Sequence, residues 1–190
     1  LLNSLGVRLV LVFGAAPQID RHLQALGLTS EFVNGIRITS PLILPAVQEA
    51  IGKIRSDIES RLSMGLVNSP QHGAEIIVTS GNFIKAKPFG VRDGVDFHHT
   101  GEVRRVNTRA ITTQLNGGAL VLVSPLGYSP AGETFNINSV EVAVEVATAL
   151  SADKLVYITE TDGLADDDGN LITELQVNAI DAADLDPLSP

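Results

Sequence analysis

Apolar residues along this chain fall into two patterns, unbroken runs and helical stripes, and the two alternate. Residues 8–13 (RLVLVF), 119–124 (ALVLVS) and 154–159 (KLVYIT) are continuous apolar runs, and 75–80 (EIIVTS) is a fourth. Runs without a polar alternation predict strands covered on both faces, as in parallel sheets. Between them the period lengthens. Pro17 stands at the start of a helix predicted over 17–26 with Ile19, Leu23 and Leu26 on one side. Leu44, Val47, Ile51, Ile54, Ile58 and Leu62 then mark a longer helix within 41–67. Further helices are predicted over 109–115 and 139–150, and a short helical signal lies at 178–184. Strand and helix alternate, which predicts an α/β fold with a mainly parallel sheet.

Residues 81–106 break that rhythm. Gly81-Asn82, Pro88, Gly90, Asp93-Gly94 and Gly101 punctuate short strand-like pieces, FIKAK, VDFHH and EVRRV. This predicts an antiparallel hairpin excursion. Covering a ligand and packing as a decoration on the body are both compatible with it. At the amino end, residues 1–6 read as the close of a helix with Gly6 as its stop, so the chain is expected to be a piece of a longer protein.

Composition narrows the function classes. With 190 residues and 44% hydrophobic content, one domain with a sizeable core is expected. There is no cysteine, which removes disulfides and thiolate metal sites and fits a cytoplasmic location. The net charge of −9, with Lys154 the one basic residue after Arg109, argues against nucleic acid or an anionic membrane as partner. No apolar run reaches the ~18 residues of a membrane span.

The densest functional signal runs from Gly127 to Glu174. Pro130-Ala131-Gly132 makes a turn and Thr134-Phe135 a strand, after which Asn138 stands as N-cap with Glu141 at capping-box spacing. A helix start suits an anion, through its free N–H groups and dipole. Val140, two residues past the cap, can neither ligate a metal nor orient a lysine.

Other segments carry weaker signals. Gly14-Ala15-Ala16 follows a strand and precedes a helix, which fits either a backbone anion cradle or a plain tight turn. It lacks a full dinucleotide fingerprint and a P-loop lysine. Asn34-Gly35 sets a turn, Arg37 follows on an extended piece, and Thr39 or Ser40 can cap the long helix. A guidanium there suits a carboxylate, or is a surface residue beside a cap. The aspartates at 166–168 fail as an EF-hand, because Leu164 and Leu175 fall where acids are needed. Asp168-Gly169 reads instead as a hairpin turn, and residues 160–165 as a loop at the ligand edge of the sheet. His72, His98 and His99 have no third ligand at metal spacing, and Ser124 has no nucleophile-elbow glycines.

Taken in order, GAAPQID, NGIRIT, SGNFIKAKPFGVRDGVDFHHTGEVRRV, GETFNINSVE and ETDGLADDDGNLITEL resemble the amino-acid kinase fold of the acetylglutamate kinase group. The likeness is strongest to the kinase-like domain of bacterial N-acetylglutamate synthases and covers nearly the whole chain. The resemblance implies a three-layer α/β/α domain whose first strand precedes residue 1, with an acetyltransferase domain after residue 190. It also implies an acyl-amino-acid pocket at Gly14, Ala15, Arg37 and Asn136, and a nucleotide-side loop at Glu160, Asp162 and Gly163. Kinases of the group carry an aspartate, organising catalytic lysines, at the position of Val140, and glycines at Ala15 and Ala16. Phosphoryl transfer depends on such charge placement, so its loss is expected.

The resemblance therefore implies a non-catalytic regulatory or assembly domain, without cofactor of its own. The complete protein would transfer acetyl from acetyl-CoA to L-glutamate in arginine biosynthesis, under feedback control by L-arginine, as a homo-oligomer. An active ATP-dependent acetylglutamate kinase and a purely structural oligomerisation module are the alternatives. The long helix offers a self-association surface, or packs its stripe into the core.

Overall fold

The structure, a computed structural model, describes residues 6–64 and 76–159. Two compact units divide the chain, Leu1–Asp153 and Lys154–Pro190. In the first unit the elements follow in the order β1 (Val10–Val12), α1 (Ala16–Ala25), β2 (Glu31–Val33), β3 (Ile36–Ile38), α2 (Leu44–Leu62), β4 (Val78–Ser80), β5 (Ile84–Pro88) and β6 (Val91–Arg92). Then come β7 (Val95–Asp96), β8 (Thr100–Val106), α3 (Thr108–Asn116), β9 (Leu120–Val123), β10 (Leu126–Tyr128), β11 (Thr134–Ile137) and α4 (Ser139–Leu150).

Three of the apolar runs assemble as a parallel sheet in the order β1-β9-β4, with Val10 opposite Val121 and Val78 opposite Leu120. All four residues of β9 are buried. The two-residue period of a strand sends its side chains to opposite faces. Leu120 and Leu122 enter a core with Ile19 and Leu23 of α1 and Val47 and Ile51 of α2. Val121 and Val123 enter a second core with Ile111 of α3 and Val142 and Val146 of α4. Helices on both faces make a three-layer domain, and they leave no wet side for a polar alternation in β9.

The excursion forms as predicted and recruits two further strands. β5 and β8 are antiparallel, and β10 and β11 close the ring by pairing parallel to β5 and β8. Ile84, Ala86, Phe135 and Ile137 fill its interior. Gly127 and Gly101 are required there: a β-carbon on Gly127 would stand 2.6 Å from Ile137 Cδ1 and 2.7 Å from Ala86 Cβ, and one on Gly101 2.6 Å from Phe135 Cβ. Lys85 faces Arg105 and Ala86 faces Val103, so Arg104 is the extra residue of a β-bulge in β8. Two tight hairpins, β2-β3 and β6-β7, turn on Asn34-Gly35 and Asp93-Gly94 with positive φ at both residues.

Three local expectations are corrected. Residues 154–159 lie in no strand, and Leu155, Val156, Tyr157 and Ile158 are exposed, so this apolar run marks neither a strand nor core. α2 begins without a side-chain cap. The Ser40 carbonyl accepts from the Ile43 and Leu44 N–H groups instead, and Thr39 is fully buried elsewhere. In α4 half of the capping box forms: Asn138 caps, while the Glu141 carboxylate turns to the Val103 N–H.

Candidate functional site

The candidate residues fall into two groups: Gly14 after β1 lies beside the start of α4, and Arg37, Thr39, Thr100 and Asn136 are linked across β3, β8 and β11. After β1 the chain passes through Gly14 and Ala15 into α1, whose first turn holds Pro17. Gly14 lies against α4, since a β-carbon on it would come 3.4 Å from Ser139 Oγ. Ala15 does otherwise than its sequence suggests. Its methyl group is packed in the core with Ile19 and Leu23, and Ala16 is exposed, so the Ala15 side chain does not crowd a ligand. Gly14 is the residue that keeps space open beside Ser139.

The anion capacity of the α4 start is largely used by its own cap. Asn138 Oδ1 accepts from the Val140 N–H at 2.8 Å and the Glu141 N–H at 3.4 Å, and the Asn138 carbonyl takes the Val142 N–H at 3.0 Å. The Ser139 N–H and hydroxyl remain without a partner among the described residues. Val140 is 44% exposed and Val144, one turn on, 42%. The buried side of α4 is formed by Val142, Ala143 and Val146. An apolar stripe thus flanks the helix start where charge would be needed.

Glu141, the one acid in the first turn of α4, is unavailable to a ligand. Its Oε1 accepts from the Val103 N–H at 2.7 Å. Burial pushes its carboxyl up from the ordinary value, the Val103 hydrogen bond opposes this, Glu102 and Glu145 add to it, and Lys87 opposes it.

Arg37 is buried, with 7% exposure. Its Nη1 donates to Asp20 Oδ1 at 2.6 Å and to Ser30 Oγ, and the guanidinium lies 4.6 Å from the Phe32 ring centre. Its Nη2 is buried and has no partner among the described residues, so part of the guanidinium's donor capacity is unspent.

Asn136 on β11 is tied to Arg37 through two buried hydroxyls. Asn136 Nδ2 donates to Thr39 Oγ1 at 3.1 Å, the two threonine hydroxyls are 3.1 Å apart, and Thr100 Oγ1 donates to the Arg37 carbonyl at 2.6 Å. Thr100 Oγ1 also accepts from the Thr39 N–H at 3.0 Å. Arg37 and Thr39 are two residues apart on one extended segment and so share a face, about 7 Å apart. Sequence reading passes over Thr100 and offers Thr39, with Ser40, only as a helix cap. A TG step opening a strand looks like a turn exit, and only the register of β8 against β11 reveals its position.

His99 Nδ1 contacts the Thr134 carbonyl at 3.3 Å, and His98 lies 3.4 Å from Asp96. Each ring is accounted for by these neighbours. Glu160, Asp162, Gly163, His72, the Asp168-Gly169 turn and the helical signal at 178–184 lie outside the described residues.

The assembled groups are a guanidinium, an amide, hydroxyls and backbone N–H, set on a doubly covered parallel sheet with a barrel-like excursion. A guanidinium and an amide are chemically suited to a carboxylate-bearing molecule. Among the described residues the assembled groups include no acid placed to organise phosphoryl transfer. This architecture is that of the amino-acid kinases: a model of the Amino acid kinase family matches residues 1–187, and the chain belongs to that family.

Particular relatives sharpen the comparison. Amino-acid acetyltransferases of Ectopseudomonas mendocina (strain ymp) and Azotobacter vinelandii (strain DJ / ATCC BAA-1303) are each 50% identical over 182 residues, covering 96% of this chain and 42% of theirs. The crystal structure of N-acetylglutamate synthase from Neisseria gonorrhoeae complexed with coenzyme A and L-arginine is similar with TM-score 0.83 and 40% identity, over 90% of this chain and 40% of that one. The same enzyme complexed with coenzyme A and N-acetyl-glutamate gives TM-score 0.78 and 39% identity, over 90% and 38%. The chain spans about two fifths of the length of the curated relatives it matches. Among the described residues no helix is long and apolar enough to cross a membrane.

Proposed function

We propose that this chain is the kinase-fold part of an N-acetylglutamate synthase, a module that has given up phosphoryl transfer and serves regulation and assembly. In this reading the complete protein transfers acetyl from acetyl-CoA to L-glutamate, the first step of arginine biosynthesis, in a further domain after residue 190. Similarity to amino-acid acetyltransferases more than twice as long supports the reading, as does the arginine-bound neighbour. The observation that carries the loss of kinase chemistry is Val140, exposed in the first turn of α4 with Glu141 turned away to Val103. Transfer of a phosphoryl group relies on charge placed around it, and a valine supplies none.

The pocket at Gly14, Ala15, Arg37 and Asn136 is retained as a site for a carboxylate with an adjacent polar group, with Ala15 contributing backbone alone. Glu160, Asp162 and Gly163 are the remnant of the nucleotide side. L-arginine is the effector of the complete domain, and the protein works as a cytoplasmic homo-oligomer without a resident cofactor.

The experiment is acetyl transfer from acetyl-CoA to L-glutamate by the full-length protein, with and without L-arginine. A rate that responds to L-arginine supports the reading. A rate indifferent to L-arginine, together with no thermal stabilisation by it, favours a purely structural module.

A further inference from the structure

We infer that Thr39 and Thr100 are positioning residues that fix the amide of Asn136 with its NH₂ inward and its carbonyl oxygen toward the pocket. The inference rests on the pocket reading above, and it makes the site selective for a molecule bearing an N–H near its carboxylate.

The argument is a count of protons. Three contacts link the Arg37 carbonyl, Thr100 Oγ1, Thr39 Oγ1 and the Asn136 amide, at 2.6, 3.1 and 3.1 Å. Each needs one hydrogen. Thr39 is fully buried and Thr100 is 6% exposed, so water cannot supply a missing one. The single Thr100 proton is committed to the Arg37 carbonyl, since that carbonyl has none to give and the separation is the shortest of the three. Thr39 must then donate to Thr100 Oγ1, whose other lone pair already takes the Thr39 N–H at 3.0 Å. With its proton spent, Thr39 Oγ1 can only accept, and Asn136 must present Nδ2. In the reverse amide orientation two protons would serve three oxygen–oxygen contacts. One buried pair would then face each other without a hydrogen, a state buried polar groups avoid.

The consequence is chemical. Asn136 Oδ1 has no donor among the described residues, so in the pocket proposed above the amide presents an acceptor. A carboxylate on Arg37 and an N–H on Asn136 Oδ1 describe an amino or amido acid. A hydroxy-acid ester of the same shape brings an oxygen against that oxygen, and sites built for an N–H discriminate strongly against such analogues.

The test needs no ligand and is run on the full-length protein, so it is independent of whether acetyl transfer responds to arginine. Asn136→Asp replaces the inward donor by an acceptor. Thermal melts at pH 7 are expected to show a Tm lower than wild type by roughly 2–10 °C. As pH falls toward 4.5, the introduced carboxyl, held above its usual value of about 3.9 by the need to donate to Thr39, takes up a proton and the deficit shrinks. Of the charged and titratable groups near it, Arg37 lies on β3 beyond the two threonines and His99 precedes β8, its carbonyl accepting the Asn136 N–H, while β10 opposes it with Leu126. In a Thr39→Val background the pH-dependent part should vanish, and Thr39→Ser, which keeps the hydroxyl, should restore it. An Asn136→Asp variant as stable as wild type at pH 7, with no pH dependence in the difference, overturns the inference. So does a pH-dependent deficit that persists unchanged with Thr39→Val.

Discussion

Glu141 Oε1 accepts the backbone N–H of Val103 at 2.7 Å, fastening the first turn of α4 to β8 beside its bulge. The bulge disrupts the ladder, and the carboxylate reaches across to meet the Val103 N–H. Burial raises the Glu141 carboxyl above 4.5. The native state therefore binds more protons than the unfolded chain between 4.5 and the raised value, so ionising Glu141 weakens the fold as pH rises through that window. Glu141→Gln keeps an acceptor and removes the charge. Its stability relative to wild type should grow as pH rises above about 4.5 and level off beyond the raised value, as read from urea unfolding between pH 4 and 8. Glu141→Ala, which strands the Val103 N–H, should cost about 1–3 kcal/mol at pH 7.

Asp20 and Arg37 are unequal partners. Arg37 is 7% exposed and Asp20 51%. Removing Asp20 leaves a buried cation with fewer acceptors, whereas removing Arg37 leaves a carboxylate that water can reach. Asp20→Ala is therefore expected to destabilise by ~1.5–3 kcal/mol, and Arg37→Met by less. Denaturant melts of the two variants side by side give the comparison; equal losses would mean that the guanidinium is better solvated than its burial indicates.

Gly127 is a steric requirement of the barrel. Gly127→Ala sets a methyl within 2.6 Å of Ile137 Cδ1 and 2.7 Å of Ala86 Cβ and should cost about 1–3 kcal/mol. Gly52, in α2 with nothing within 4 Å of its added β-carbon, is the control. Gly52→Ala should stabilise by up to ~1 kcal/mol through helix propensity.

Val140→Asp places a carboxylate in the first turn of α4 at an exposed position. The helix dipole favours it there by ~0.3–1 kcal/mol, so the variant should melt slightly higher than wild type. It should gain no phosphoryl transfer, because the other acid of that turn, Glu141, remains committed to Val103.

Much of the fold was legible because periodicity reports burial. The unbroken run at 119–124 announced the central strand, and Asn34-Gly35 and Asp93-Gly94 announced their hairpins. What sequence hid were choices among partners. Glu141 has the spacing of a capping box and also lies within reach of the Val103 N–H; only tertiary structure decides. Thr39 before a helix reads as a cap, until β8 brings Thr100 alongside. Residues 154–159 have the composition of a buried strand, and the structure places them in neither strand nor core. Of the proposed pocket, Gly14, Ala15, Arg37 and Asn136 were named through the family resemblance, while the pair of hydroxyls joining Asn136 to the Arg37 segment was not.

The central claim is that a kinase fold persists here without kinase chemistry. The direct measurement is ATP- and magnesium-dependent phosphorylation of N-acetyl-L-glutamate by the full-length protein, in a preparation that acetylates L-glutamate. The expected result is acetyl transfer with no phosphoryl transfer above background. Robust turnover of ATP coupled to acylphosphate formation would contradict it and make the site around Val140 an active one.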